Sequence, residues 1–231
     1  MSLEPTARPS LTAARNPLLR DDDAKTVDLA TTPAPNILAR PTRADAREIR
    51  DLRREASATA AIAGLDHKTE IYGLTKGRFS MLDLLLAILT VTGPATLDLS
   101  TWTANPAQVT TLHKEFLAGR CLGMRWLVDL TFVKRDPAAA CAVRKLFGND
   151  CIRVAQTHAK FALFGNATWK AVLRTSMNLN MNPRTEDFQL AHDPPLYDFL
   201  KRFLDATWHR QPINLSEAPS KEIAAHWRTH G

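Results

Sequence analysis

The sequence predicts an α/β fold, a mixed sheet flanked by helices, and three observations predict it. From residue 69 onward, short apolar runs alternate with longer stretches of helical pattern. Gly, Pro, Asn and Ser sit at the junctions between them. The chain has 231 residues, 45% of them hydrophobic and 23% charged, which is the balance of a soluble protein with one sizeable core.

The elements follow in order. Residues 1–42 hold six prolines and an acidic triplet, Asp21 to Asp23, and predict a disordered tail. Residues 43–64 contain good helix formers, with Thr42 as a start and Gly64 as a stop. They predict a helical arm with charge pairs among Arg47, Asp51, Arg54 and Glu55, either a surface or dimerising helix or a basic arm laid on nucleic acid. Ile71 to Leu74 is a short strand. Phe79 to Leu89 is an apolar helix opened near Ser80 and closed by Gly93-Pro94. Ala95 to Trp102 alternates as a strand. Asn105-Pro106 opens a helix to Ala118, ended by Gly119. Met124 to Val133 is a strongly apolar strand, and Pro137 starts a helix to Phe147. Cys151 to Gln156, Ala159 to Phe164, Trp169 to Thr175 and Phe188 to Ala191 read as strands. Pro195 starts a final amphipathic helix with Leu196, Phe199, Leu200, Phe203 and Leu204 on one face. The domain is thus expected over 65–210, with a polar tail over 211–231.

Several classes are excluded. No window reaches the run of about 18 apolar residues that a membrane span needs. The N-terminus lacks an apolar core and a cleavage site for secretion. Three cysteines, Cys121, Cys141 and Cys151, are too few and scattered for a disulfide framework or a zinc site and read as small buried residues. A cytoplasmic location is the expectation. The net charge of +6 is concentrated, because residues 134–174 carry eight basic and two acidic side chains. Such an excess points to an anionic partner or to a solvated face.

The stretch from Thr157 to Glu186 carries the chemistry. His158 and Lys160 are two apart and share a strand face. A turn at Gly165-Asn166-Ala167 leads to a second strand ending in Ser176 and Asn178, again two apart. A hairpin would bring both pairs together, with Glu186 returning on a loop. Neutral imidazole attacks phosphorus, and lysine and asparagine donate to the oxygens where charge builds. A carboxylate fixes the imidazole tautomer. No cluster of carboxylates is present to hold a metal, and no cofactor is expected.

These residues resemble half of the active site of the phospholipase D superfamily, whose signature is HxK, often an Asp, then GSxN and a later Glu. His158, Lys160, Ser176, Asn178 and Glu186 match in order. The resemblance implies one lobe of that fold per chain, over about 69–206, outside the first 64 residues. The segments GLTKGRFSMLDLLL and LDLSTWTA also look like those of uncharacterised phage and prophage proteins of this type. Two positions depart from the signature: Gly165 falls where the Asp belongs, and Thr175 replaces the Gly of GSxN. Glycine would keep that turn open.

The resemblance implies a metal-independent phosphodiesterase, most readily a nuclease, working through a phosphohistidine. Such a site uses two HxK motifs and this chain has one, so a homodimer sharing the site is implied. His158 is then nucleophile in one subunit and acid and base in the other. Lys160 and Asn178 hold the phosphate, Ser176 assists, and Glu186 orients His158. The expected partner is nucleic acid, DNA before RNA, and not a membrane. Arg153, Lys170, Arg174 and Arg184 are candidate phosphate contacts, and Trp169 is the aromatic best placed to touch a base. Trp102 and Trp126 read as core. One alternative is a catalytically weak nucleic-acid-binding protein on the same fold; another is a phospholipid hydrolase or transferase.

Overall fold

The computed structural model describes residues 46–211. The tails expected over 1–42 and 211–231 lie outside the described residues, apart from Gln211. The expected α/β architecture is present. Eight strands of the described residues form one mixed sheet: β1 (Arg47–Leu52), β2 (Glu70–Thr75), β3 (Ala95–Thr101), β4 (Cys121–Asp129), β5 (Ile152–Ala155), β6 (Phe161–Gly165), β7 (Lys170–Thr175) and β8 (Glu186–His192). Their spatial order is β1-β2-β8-β7-β6-β3-β4-β5. The outer pairs β1/β2, β3/β4 and β4/β5 run parallel, and β2, β8, β7, β6 and β3 pair antiparallel. The C-terminal ends of all five parallel strands therefore lie along one edge of the sheet, where open α/β sheets bind their ligands.

Among the described residues, six α-helices connect and cover the sheet: α1 (Ala58–Ala61), α2 (Met81–Thr92), α3 (Pro106–Leu117), α4 (Phe132–Arg135), α5 (Pro137–Phe147) and α6 (Pro194–Arg210). Local sequence dictates their starts. The Ser80 hydroxyl accepts from the Asp83 N–H while the Asp83 carboxylate accepts from the Ser80 N–H, a capping box. The Asn105 side chain accepts from the Ala107 N–H at 2.8 Å, and Pro106 needs no partner there. On one sheet face, Ile71, Leu97, Leu99, Trp126, Val128, Phe164, Leu173 and Phe188 meet α1, α2, α3 and α5 in the main core. On the other face, Leu127, Phe161, Leu163 and Val172 meet Tyr197 and Leu204 of α6. Alternation along each strand sorts the two sets.

Three expectations are corrected. The helical arm expected over 43–64 is not formed by its described residues, 46–64: Arg47–Leu52 is the edge strand β1, and only Ala58–Ala61 is α-helical. The charges pair two apart along the strand, Arg50 with Glu48 at 2.5 Å and Arg53 with Asp51 at 2.6 Å. Arg47 binds Glu70 across β2, and Arg50 donates to the Ala61 and Ala63 carbonyls at 2.8 Å each. Those tertiary partners outweigh helix propensity. The strand expected over Met124 to Val133 ends at Asp129, whose carboxylate accepts from the Thr131 N–H at 2.9 Å and turns the chain into α4. Cys141 is exposed, whereas Cys121 and Cys151 are buried, with their thiols pushed up by burial to about 11 and about 12.

Candidate functional site

The HxK pair lies in the extended segment entering β6, at the sheet edge described above. Lys160 Nζ stands 2.8 Å from His158 Nδ1. The β6–β7 hairpin holds the second pair close, for Phe161 opposes Arg174 and the Thr175 N–H donates to the Lys160 carbonyl at 3.1 Å. Ser176 and Glu186 meet across β7 and β8, the hydroxyl donating to the carboxylate and accepting from the Asp187 N–H at 3.0 Å. Asn182 donates to the second Glu186 oxygen at 2.8 Å. Asn178 accepts from the Trp102 N–H at 3.3 Å, and the Trp102 ring lies 5.2 Å from the His158 ring. His158, Lys160, Ser176, Asn178 and Glu186 thus converge on one corner. Glu186 differs from its implied part, because its oxygens hold Ser176 and Asn182 while His158 bonds to Lys160.

The amine of Lys160 is shifted below the usual lysine range, chiefly by burial, and the Glu186 carboxylate partly offsets this. His158 is exposed and Lys160 half-buried, so the pair opens onto a cavity. The cavity has a volume of ≈ 740 Å³. Its floor is a row of directly opposed residues on β2, β8, β7 and β6: Tyr72, Gln189, Arg174 and Phe161. Its far wall is the α6 stripe Leu196, Phe199, Leu200 and Phe203. The sequence pattern puts these residues and Leu204 on one apolar face of the helix. Only Leu204 of it is fully buried, and Phe203 is 42% exposed, because α6 covers fewer strands than its apolar face spans.

The two departures from the signature acquire physical meaning. Gly165 lies at the opposite end of β6 from Lys160, and a Cβ there would fall 2.1 Å from the Tyr197 hydroxyl. An aspartate has no room at that position, which is remote from the reacting groups. At Thr175, no left-handed backbone requires glycine, since no described residue other than glycine has positive φ. Its hydroxyl donates to the Asp187 carbonyl at 2.6 Å and accepts from the Met177 N–H at 3.0 Å, tightening the turn.

The candidate nucleic-acid contacts divide. Arg174 is exposed in the cavity, and Arg184 is exposed on the loop before Glu186. Arg153 is buried, donates to the Asp150 and Ile152 carbonyls and lies under Trp208. It holds β5 to α6 rather than facing a partner. Lys170 pairs with Asp198 at 2.8 Å at the opposite end of β7. Trp169 is at that end too, packed on His67 and His192 at 4.3 and 5.6 Å. Arg153 and Lys170 therefore lie away from the cavity that Arg174 lines.

Two contributors went unread in the sequence. Trp102, assigned to the core, is half-buried with His158 beside it, and the Arg135 guanidinium lies 3.7 Å from its ring centroid. Asn182 holds Glu186. The signal for Trp102 was available, since it directly follows β3 where the chain leaves the sheet at the site's edge. Trp126 is fully buried as expected. Among the described residues, no group of three or more His, Cys, Asp or Glu is placed to share a metal ion. None of their helices is long and apolar enough to cross a membrane.

No protein-family model matches the chain, and no curated protein is similar to it. Among solved structures it is similar to the crystal structure of polyphosphate kinase from Porphyromonas gingivalis, with 12% identity and a TM-score of 0.45 over 61% of this chain. The chain spans 26% of that kinase's length.

Proposed function

We propose that the protein is a metal-independent phosphodiesterase, most readily a nuclease, of the phospholipase D type. The observation that carries this reading is that His158, Lys160 and Ser176 line one cavity, with Glu186 bonded to Ser176 and Asn178 to the Trp102 backbone beside them. In the proposed reaction, the His158 ring nitrogen attacks phosphorus and the P–O bond to the leaving oxygen breaks. Lys160 and Asn178 donate to the non-bridging oxygens as charge grows on them. Ser176 and Asn182 keep the Glu186 carboxylate beside the amine. Water then cleaves the phosphohistidine and regenerates the imidazole.

The leaving oxygen needs a proton donor. The other described histidines, His67, His113, His192 and His209, pack elsewhere or lie on the far part of α6. This supports a site shared in a homodimer, with His158 of the partner subunit as acid and then base. The apolar wall of α6 favours a second reading, a phosphodiester bearing an apolar group, as in a phospholipid.

The test is cleavage of labelled single- and double-stranded DNA in excess EDTA by the wild type and His158→Ala. Cleavage that survives EDTA and disappears in the variant supports the nuclease. Cleavage of dispersed phospholipid with none of DNA or RNA moves the assignment to the second reading. Equal DNA binding by both proteins with no turnover on any substrate leaves the binding-protein reading.

A further inference from the structure

We propose that a second, basic groove beside the site, lined by Arg53, Arg54, Lys76 and Arg78, holds the phosphodiester backbone of a nucleic-acid strand several nucleotides from the reacting phosphate. The proposal rests on the nucleic-acid reading above and says where the substrate runs.

The groove encloses ≈ 670 Å³ and is lined by Asp51, Arg53, Arg54, Lys76, Arg78 and Pro183. Four cations face one carboxylate. Asp51 pairs with Arg53 at 2.6 Å and neutralises that residue. Arg54, Lys76 and Arg78 are exposed and are not among the salt bridges of the described residues. Pro183 is the one apolar residue of the lining, so the groove offers little to an acyl chain or an apolar peptide. Charges spread on flexible side chains along an open groove suit the distributed charge of a backbone rather than one small anion.

The groove adjoins the site. Leu52, Thr75 and Glu186 are register partners across β1, β2 and β8, so the ends of β1 and β2 lie directly beside the site carboxylate. Gly77, at φ +62, packs so closely on the next loop that a Cβ would fall 2.3 Å from the Asn182 carbonyl oxygen and 2.5 Å from Pro183 Cα. Asn182 in turn donates to Glu186. The Lys76-Gly77-Arg78 turn and the site thus share one wall. Between β6 and the end of β2 lie three strand intervals, and between β6 and β1 four. At about 4.8 Å each, the groove stands roughly 14–19 Å along the sheet edge from the HxK pair. At about 3.4 Å per stacked nucleotide, that is some four to six nucleotides away.

The experiment is fluorescence anisotropy of the full chain with labelled oligodeoxyadenylates, whose bases stack, of about 2 to 16 nucleotides, in EDTA, across a salt series. Wild-type affinity is expected to climb with length up to about six nucleotides and then flatten. The variant Arg54→Gln/Lys76→Gln/Arg78→Gln, folded by circular dichroism, loses that climb. For the long oligonucleotides it binds on the order of a hundredfold more weakly at ~0.1 M salt, with a log–log salt slope shallower by about 2, at about 0.7 per lost contact. Arg54→Lys/Arg78→Lys keeps the charge and the climb, which separates loss of contacts from misfolding. The groove is overturned if the triple variant binds long oligonucleotides as the wild type does. It is equally overturned if the wild type shows no length dependence, or binds only anionic phosphatidylglycerol vesicles. A length-dependent, groove-dependent affinity without cleavage keeps the groove and removes the nuclease. Cleavage dependent on His158 without length dependence does the reverse.

Discussion

Lys160 Nζ lies 2.8 Å from His158 Nδ1 and 3.3 Å from Nε2, so the amine covers both nitrogens of the proposed nucleophile. A phosphate arriving between them exchanges this contact for its own oxygens, leaving the ammonium aimed at developing charge and the ring free to attack. Lys160→Met is therefore expected to lower phosphodiester turnover by about 10²–10³-fold, the effect of one lost oxyanion donor. His158→Ala removes the covalent route entirely. Rapid quench with acid-labile phosphorylation as the readout distinguishes them, because the lysine variant still forms the intermediate slowly.

Trp102 is expected to position His158 rather than touch substrate. Its ring has Arg135 at 3.7 Å and His158 at 5.2 Å, and its backbone N–H, which every substitution here keeps, reaches Asn178. Trp102→Ala lets the imidazole wander, and a shift of about 1 Å costs up to about a hundredfold in turnover. The loss should fall on kcat with KM little changed, and Trp102→Phe should recover most of it. A loss confined to KM would instead assign the ring to substrate binding.

The sequence revealed the sheet's centre well and its edge poorly. Alternation and punctuation located β2, β3, β6, β7 and β8, and the HxK and SxN spacings placed four site groups on neighbouring strand ends. The arm over 43–64 was misread because Arg47 and Arg50 find partners at Glu70, Ala61 and Ala63, contacts that no local pattern displays. Arg153 was misread because a strand arginine looks the same in sequence whether it faces solvent or lies beneath Trp208. The α6 stripe is apolar in either case; only the tertiary fold shows that part of it faces a cavity.

The pH dependence follows from Lys160. Burial disfavours its charged form in the folded protein and holds the amine below the ordinary 10.5, with Glu186 acting in the opposite direction. Between the folded and unfolded values, the unfolded chain binds more protons, so the contribution of this group to stability rises with pH in that window. Turnover that needs the ammonium falls in the same window. The alkaline limb of the pH–rate profile is expected below the ordinary lysine range, and Glu186→Gln should move it lower still. A limb that moves upward in that variant would assign it to another group.

Homodimerisation predicts a specific activity that rises with protein concentration and then saturates as the shared site assembles. Light scattering over the same range should show mass doubling with the same midpoint. Phe203→Glu, on the exposed part of the apolar wall, is expected to shift both midpoints upward together if that wall meets the second copy. A fully active monomer at low concentration would exclude the shared site.

The cavity wall itself depends on a buried ionic cluster. Asp98 on β3 is 3% exposed and accepts from Arg125 at 2.6 and 2.9 Å and from Lys201 of α6 at 2.8 Å. Arg125 also reaches Asp205 of α6 at 2.8 Å. This carboxylate is the buried polar tie between α6 and the middle of the sheet. Asp98→Ala leaves two cations facing each other without their shared anion, and the expected cost is about 3–5 kcal/mol, measured as a lowered urea midpoint at unchanged m-value. Because α6 carries Leu196, Phe199, Leu200 and Phe203, the same variant should weaken binding of any ligand that uses the wall while leaving the His158–Lys160 pair in place. Asp98→Asn, which keeps two acceptor lone pairs but not the charge, should fall between the two. An Asp98→Ala protein as stable as the wild type would show that α6 is held in place without this carboxylate.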